Sequence, residues 1–136
     1  MMRTLTEDDI ECGTVLPPLH IELTPTTVIS TALATMDFTP VHHDTERAQA
    51  QSSKDIFLNI LTTMGLVERY VTDWAGPEAL IRGINVRLGV PAYAGDTLTL
   101  SGTVISREDG EVTVQVRGAV SLGDHATGTV RFCLPC

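Results

Sequence analysis

The chain has 136 residues, 43% of them hydrophobic, and a formal net charge of −8 with its histidines neutral. That length and apolar content suit one domain with a single core, and the negative charge argues against broad contact with nucleic acid or anionic lipid. A phosphorylated substrate is still allowed, because a few local arginines can hold phosphate against the overall field.

No run reaches the roughly 18 consecutive apolar residues of a membrane span. The opening "MMRTLTEDDIECG" is acidic and lacks a long apolar stretch, so a secretory leader is not expected and the cytoplasm is the expected location. Cys12, Cys133 and Cys136 suit a reducing compartment better than a disulfide framework. The terminal "CLPC" has redox spacing, but no second pair completes a structural zinc site, and it reads as a tail over 135–136.

In chain order, residues 1–17 are polar and then proline-rich, and read as a loose lead-in to a domain over 18–134. "LHIELT" alternates as a short strand. Thr24 followed by Pro25 starts a helix through "TTVISTALATM". Residues 37–43, interrupted by Pro40, read as a loop, and Asp44 caps a brief helix in "DTERAQAQ". The strongest helical signal spans about residues 56 to 74, with Ile56, Ile60, Met64 and Val67 on one face and Phe57, Leu61 and Leu66 widening it. So broad an apolar surface predicts a helix wrapped by other structure. It stops at Gly76 and Pro77.

From residue 79 the period changes to two. "ALIRGINVRLGV" alternates in part, "TLTLSGTVIS" places Leu98, Leu100, Gly102 and Val104 on one face, and "EVTVQVRGAV" does the same with Val112, Val114 and Val116. "REDG" is a hairpin turn of the acidic-glycine kind, and "HATGTVRFCL" is a last strand. Strands joined by tight turns predict an antiparallel sheet. The simplest architecture is an α+β domain of about five strands curled around the long helix. "GxGxxG" and "GxxxxGK[ST]" are absent, so nothing points to a dinucleotide or P-loop site.

The densest chemistry lies in "DFTPVHHDTE". Asp37 and His42 flank a short loop stiffened by Pro40, which can hold both side chains toward one cavity. An imidazole titrates near neutral pH and relays protons readily, and a nearby carboxylate can polarise a shared water. A metal reading would use His42, His43 and Asp44, with or without Asp37. Adjacent histidines in an extended segment point to opposite sides, and no H-x-x-x-H or H-E-x-x-H pattern is present, so no metal is expected. The residues alone also leave an ordinary reading open, with Asp37 and Asp44 as loop and helix caps.

"DFTPVHHD" resembles the D-x-N-P-x-H motif of the MaoC-like enoyl-CoA hydratases, and "VPAYAGDTLTLSGTV" resembles that family's second signature. The likeness covers about residues 18 to 134. It implies a hot-dog fold, a long helix wrapped by an antiparallel sheet, which the patterning reached separately. "STALATMDFTPVHHD", "SKDIFLNILTTMGLVERYVTDWAGPEALI" and "LGDHATGTV" look most like the small subunits of the actinobacterial steroid side-chain branch. The resemblance then implies that Asp37 and His42 activate water for addition to C3 of a trans-2-enoyl thioester and deliver a proton to C2.

A helix-start backbone N–H would steady the developing charge on the thioester oxygen. The family pattern there is histidine–glycine, whereas this chain has Leu58–Asn59; Thr39 likewise replaces the motif's asparagine. Thr39, Leu58 and Asn59 are therefore the expected substrate-binding positions, with Asn59 open to a bracing role. His43 and Asp44 are expected to orient the next helix, and His20 and His125 to lie at surface or edge positions. Coenzyme A arrives as part of the substrate, so no separate cofactor is expected. Arg82, Arg87 and Arg117 are candidates for its phosphates, or solvated strand residues.

The family likeness also implies a partner: a larger MaoC-like subunit that lacks the catalytic pair and completes the substrate tunnel in a heterodimer or heterotetramer. A homodimer of this chain alone is open too. Two other functions fit the pattern: 3-hydroxyacyl-thioester dehydration in fatty-acid or polyketide metabolism, and a non-catalytic subunit whose partner carries the chemistry.

Overall fold

The computed structural model describes residues 3–135. One five-stranded antiparallel sheet holds β1 (Val15–Glu22), β2 (Leu80–Leu88), β3 (Thr97–Glu108), β4 (Glu111–Val120) and β5 (Gly123–Cys133), in the order β1-β3-β4-β5-β2. Between β1 and β2 the chain forms α1 (Pro25–Ala34), a 3-10 turn at Pro40–His42, α2 (Thr45–Ala50) and α3 (Ile60–Ala75). The sheet curls around α3, which is the α+β hot-dog arrangement expected from the sequence.

The alternation in β3 and β4 does what a period of two requires. Leu98, Leu100, Gly102, Val104, Val112, Val114 and Val116 all face inward and are buried. Asp109 and Gly110 turn the hairpin with φ of 53° and 77°, the mirror-image turn whose twist matches the strands. Val67, Tyr70 and Val71 of α3 join the same core, with Phe132 wholly buried and edge-on to Trp74. Gly102 makes room for Tyr70, since a Cβ there would lie 3.2 Å from the ring. The Tyr70 hydroxyl donates to the Pro17 carbonyl at 2.9 Å. It thereby ties α3 to β1 where the register shifts between Leu16 and Leu19, at two prolines that have no N–H to give the ladder.

Three sequence expectations are corrected. The lead-in is packed: Ile10 is fully buried, Leu5 N–H donates to the Ala75 carbonyl, and β1 starts at Val15. The long helix starts at Ile60, not near 56. Residues 56–58 are extended because their backbone is already engaged, Leu58 N–H with Ala92, the Ile56 carbonyl with Ala94 and Phe57 in a bridge with Tyr93. With that start, the buried face runs through Thr63, Val67, Tyr70 and Val71, while Ile60 and Leu61 are 47% and 51% exposed. The helix is covered on one side only. By contrast, α1 with its Thr24 cap, α2 with its Asp44 cap and the stop at Gly76 all stand where expected. No helix of the described residues is long and apolar enough to cross a membrane.

Phe132 sets a check on this packing. Phe132→Ala should destabilise the fold by about 3–5 kcal/mol, as for other large buried aromatic truncations, measured by urea denaturation.

Candidate active site

Helix α1 ends in a tight cap that aims Asp37. Asp37 N–H donates to the Ala32 carbonyl at 2.9 Å and Met36 N–H to that of Leu33 at 3.0 Å, with Met36 in the left-handed region at φ 60°. Two residues on, Thr39 N–H donates back to Asp37 Oδ1 at 3.2 Å, the local turn that a short carboxylate favours. Pro40 then opens the 3-10 turn that carries His42 inward to 8% exposure.

There His42 Nδ1–H donates to the Phe57 carbonyl at 2.7 Å, and its ring sits edge-on to the Phe57 ring at 4.9 Å. Committing Nδ1 as the donor leaves the Nε2 lone pair of the neutral imidazole facing Asp37 Oδ2, 3.5 Å away. The Thr39 hydroxyl, opposed by desolvation and aided by its backbone N–H, by His42 when that ring is protonated and by the Asn59 amide, holds the Asp37 carboxyl below its ordinary value. At neutral pH the site therefore presents a carboxylate oxygen and a ring nitrogen 3.5 Å apart, near enough for one water to hydrogen-bond with both. Such a pair can take a proton from one partner and return it to another.

The remaining candidates fall into place around this pair. Asn59 is 1% exposed and stands at the N-cap of α3, and its backbone N–H has no acceptor among the described residues. Thr39 is exposed and turned onto Asp37. Leu58 packs into the core. His43 Nε2 meets the Phe38 carbonyl at 3.1 Å, so it does not join His42, and Asp44 Oδ1 accepts from Arg47 N–H to cap α2. Arg82 and Arg87 are exposed on the edge strand β2, while Arg117 is paired with Asp124 at 2.5 Å. Cys133 is a free thiol, and the Cys136 half of "CLPC" lies outside the described residues.

His20 is exposed on the β1 edge as expected, but His125 is not at a surface or edge. It is 3% exposed, donates from Nδ1 to the Val90 carbonyl at 2.7 Å and accepts the Thr63 hydroxyl on Nε2 at 2.8 Å; burial pushes its pKa down. It is a neutral pin beneath the start of α3. Sequence reasoning also missed Phe57, whose contribution is a backbone carbonyl, and Thr35 and Thr62, which hydrogen-bond Asn59. The N-x-x-T spacing of Asn59 and Thr62 was the available signal for the last. Among the described residues no group of three acidic, histidine or cysteine side chains could hold a metal.

Comparison with known proteins bears on the family and the fold. The profile of the MaoC like domain matches residues 9–125. The chain is 60% identical, over 90% of its length and 95% of the relative's, to the 3-oxo-4,17-pregnadiene-20-carboxyl-CoA hydratase beta subunit of Mycobacterium tuberculosis. It superposes with a TM-score of 0.91 on a chain of the ChsH1–ChsH2 complex from the same organism, at 58% identity over 92% of this chain and 98% of that one. An (R)-hydratase from A. caviae involved in PHA biosynthesis shares the fold, with a TM-score of 0.85 at 22% identity over 93% of this chain and 98% of that one.

Thr39→Ala removes the largest influence that lowers the Asp37 pKa, so that pKa should rise. A carboxyl held low in the folded state lends stability above its unfolded pKa and loses it as pH falls through the folded value, so the variant should give up part of that margin. Titration of the Asp37 carboxyl by 13C NMR checks the direction.

Proposed function

Because this chain belongs to the MaoC-like domain family, we propose that it is the catalytic subunit of an enoyl-CoA hydratase. In this reading it adds water across the 2,3 double bond of a bulky steroid side-chain enoyl-CoA. The observation that carries the reading is the facing of Asp37 Oδ2 and His42 Nε2 at 3.5 Å, with the imidazole tautomer held by the Phe57 carbonyl. The substrate class is supported by the 60% identity to a hydratase subunit named for a pregnadiene carboxyl-CoA.

A water held between the carboxylate and the ring nitrogen gives its oxygen to C3 as an O–H proton passes to the pair. The electrons of the double bond move toward the thioester oxygen, and the pair then delivers a proton to C2. Hydrogen and hydroxyl are thus added, and both side chains recover their starting states. The free Asn59 N–H at the positive end of α3 suits the developing oxyanion, since a fixed dipole needs no reorganisation as charge appears. Coenzyme A comes with the substrate, and no resident cofactor is required.

A larger MaoC-like partner without the pair completes the unit, as a heterodimer or heterotetramer. The ChsH1–ChsH2 match supports this. So do the exposed apolar side chains that flank the site residues in sequence, Met36 and Phe38 beside Asp37 and Ile60 and Leu61 beside Asn59. A short domain leaves them uncovered, whereas a partner and a polycyclic acyl group would cover them. The acidic composition and the free thiol of Cys12 support a cytoplasmic location.

Asp37→Asn keeps the shape and removes the charge. In the assembled complex it should cut hydration of a steroid side-chain enoyl-CoA by roughly 10²–10⁴-fold, read as product gaining the mass of one water. An unchanged rate would move the chemistry to another chain.

A further inference from the structure

We infer that the Asn59 side chain is a positioning residue for Asp37: its amide clamps the end of α1 to the start of α3 and so sets the carboxylate against the helix N-terminus. This rests on the hydratase reading and adds to it a role for a side chain that stands where the family pattern has glycine.

The hydrogen bonds leave the amide little choice. The Thr35 hydroxyl at the C-cap of α1 donates to the Thr31 carbonyl at 2.8 Å, so toward Asn59 it accepts, and it takes Asn59 Nδ2–H at 2.8 Å. Thr62, one turn into α3, donates its hydroxyl to Asn59 Oδ1. These two partners decide which end of the amide is oxygen and which is nitrogen. Asp37 follows Thr35 by two residues, so fixing Thr35 against Asn59 fixes the short segment that carries the carboxylate. The Asp37 carboxyl is held low first by Thr39, and the Asn59 amide acts in the same direction.

The choice is informative because asparagine is a preferred N-cap residue, whose side-chain oxygen ordinarily accepts from the helix's own N2 or N3 backbone N–H. Asn59 occupies the N-cap of α3 and makes no such bond. Its side chain serves a neighbouring helix instead of its own. Substrate lining by the side chain fits less well, because its nitrogen and oxygen are both engaged within the protein. The clamp joins the element that ends in the proposed acid–base pair to the element that offers the proposed oxyanion donor. Slack between those two elements is the kind of small misplacement that lowers turnover strongly.

The test uses the assembled complex with Asn59→Ala, Thr35→Val and the double variant, following hydration across pH. The two single variants cut the clamp from opposite sides. Each should lower kcat by on the order of ten- to a hundredfold, leave KM within about twofold of wild type, and move the acidic limb of kcat to higher pH; the double variant should be no worse than either single, as for residues acting as one unit. A raised KM with kcat and the acidic limb unmoved would overturn the inference in favour of acyl-pocket lining. Multiplying losses with an unmoved limb would overturn it in favour of plain structural support. Should Asn59→Ala fail to assemble, Thr35→Val alone decides. Should the wild-type complex turn over no enoyl-CoA, the hydratase reading fails by itself. The clamp is then judged by 13C NMR titration of Asp37, where an unchanged pKa in Thr35→Val and Asn59→Ala overturns it.

Discussion

The hydrogen bond from His42 Nδ1 to the Phe57 carbonyl, at 2.7 Å, is the contact on which the site's chemistry depends. It orients the ring, assigns the proton to Nδ1 and turns the Nε2 lone pair toward Asp37. It is possible only because Phe57 is extended: inside a helix, that carbonyl would point along the axis to a residue four ahead. The late start of α3 is therefore part of the site. The pairing of residues 56–58 with Val41, Ala92 and Ala94 keeps the carbonyl free for the imidazole.

A second constraint lies beneath the first. The start of α3 is buried among polar side chains, with Asn59, Thr62, Thr63 and His125 all under 6% exposed. Unpaired polar groups at such a depth are costly, and no fully buried side-chain nitrogen or oxygen among the described residues lacks a partner. Each bond fixes a direction: His125 to Val90 and Thr63, Asn59 to Thr35 and Thr62. A buried polar network whose members are all partnered holds them in place. Rigidity at this point benefits a site whose parts come from two helices and a turn.

The other side of the molecule's design is what it leaves uncovered. Ile60, Leu61, Met36 and Phe38 are large, apolar and exposed at or next to the site elements. Met36 is also held in the left-handed region, where a side chain costs more than glycine would. The Met36 backbone is accounted for by the cap that aims Asp37, while the exposed apolar set suits a half-site whose remaining walls belong to another chain.

Much of this was legible in the sequence because local rules control it. The period-two alternation of Leu98 to Val104 and Val112 to Val116 follows from the pleat, Asp109–Gly110 from the twist of a hairpin, and Thr24, Asp44 and Gly76 from the unsatisfied groups at helix ends. The motif that carries Asp37 and His42 was likewise visible, since Pro40 confines both to one short turn. What only the tertiary structure decided depends on partners distant in the chain. The long helix begins at Ile60 rather than Ile56 because Ala92 and Ala94 claim the intervening backbone. His125 is a buried pin because Val90 and Thr63 meet it from two other elements, and Ile10 is core although its neighbours are acidic. Periodicity reports the face a residue shows within its own element; it carries no information about which remote carbonyl will be waiting there.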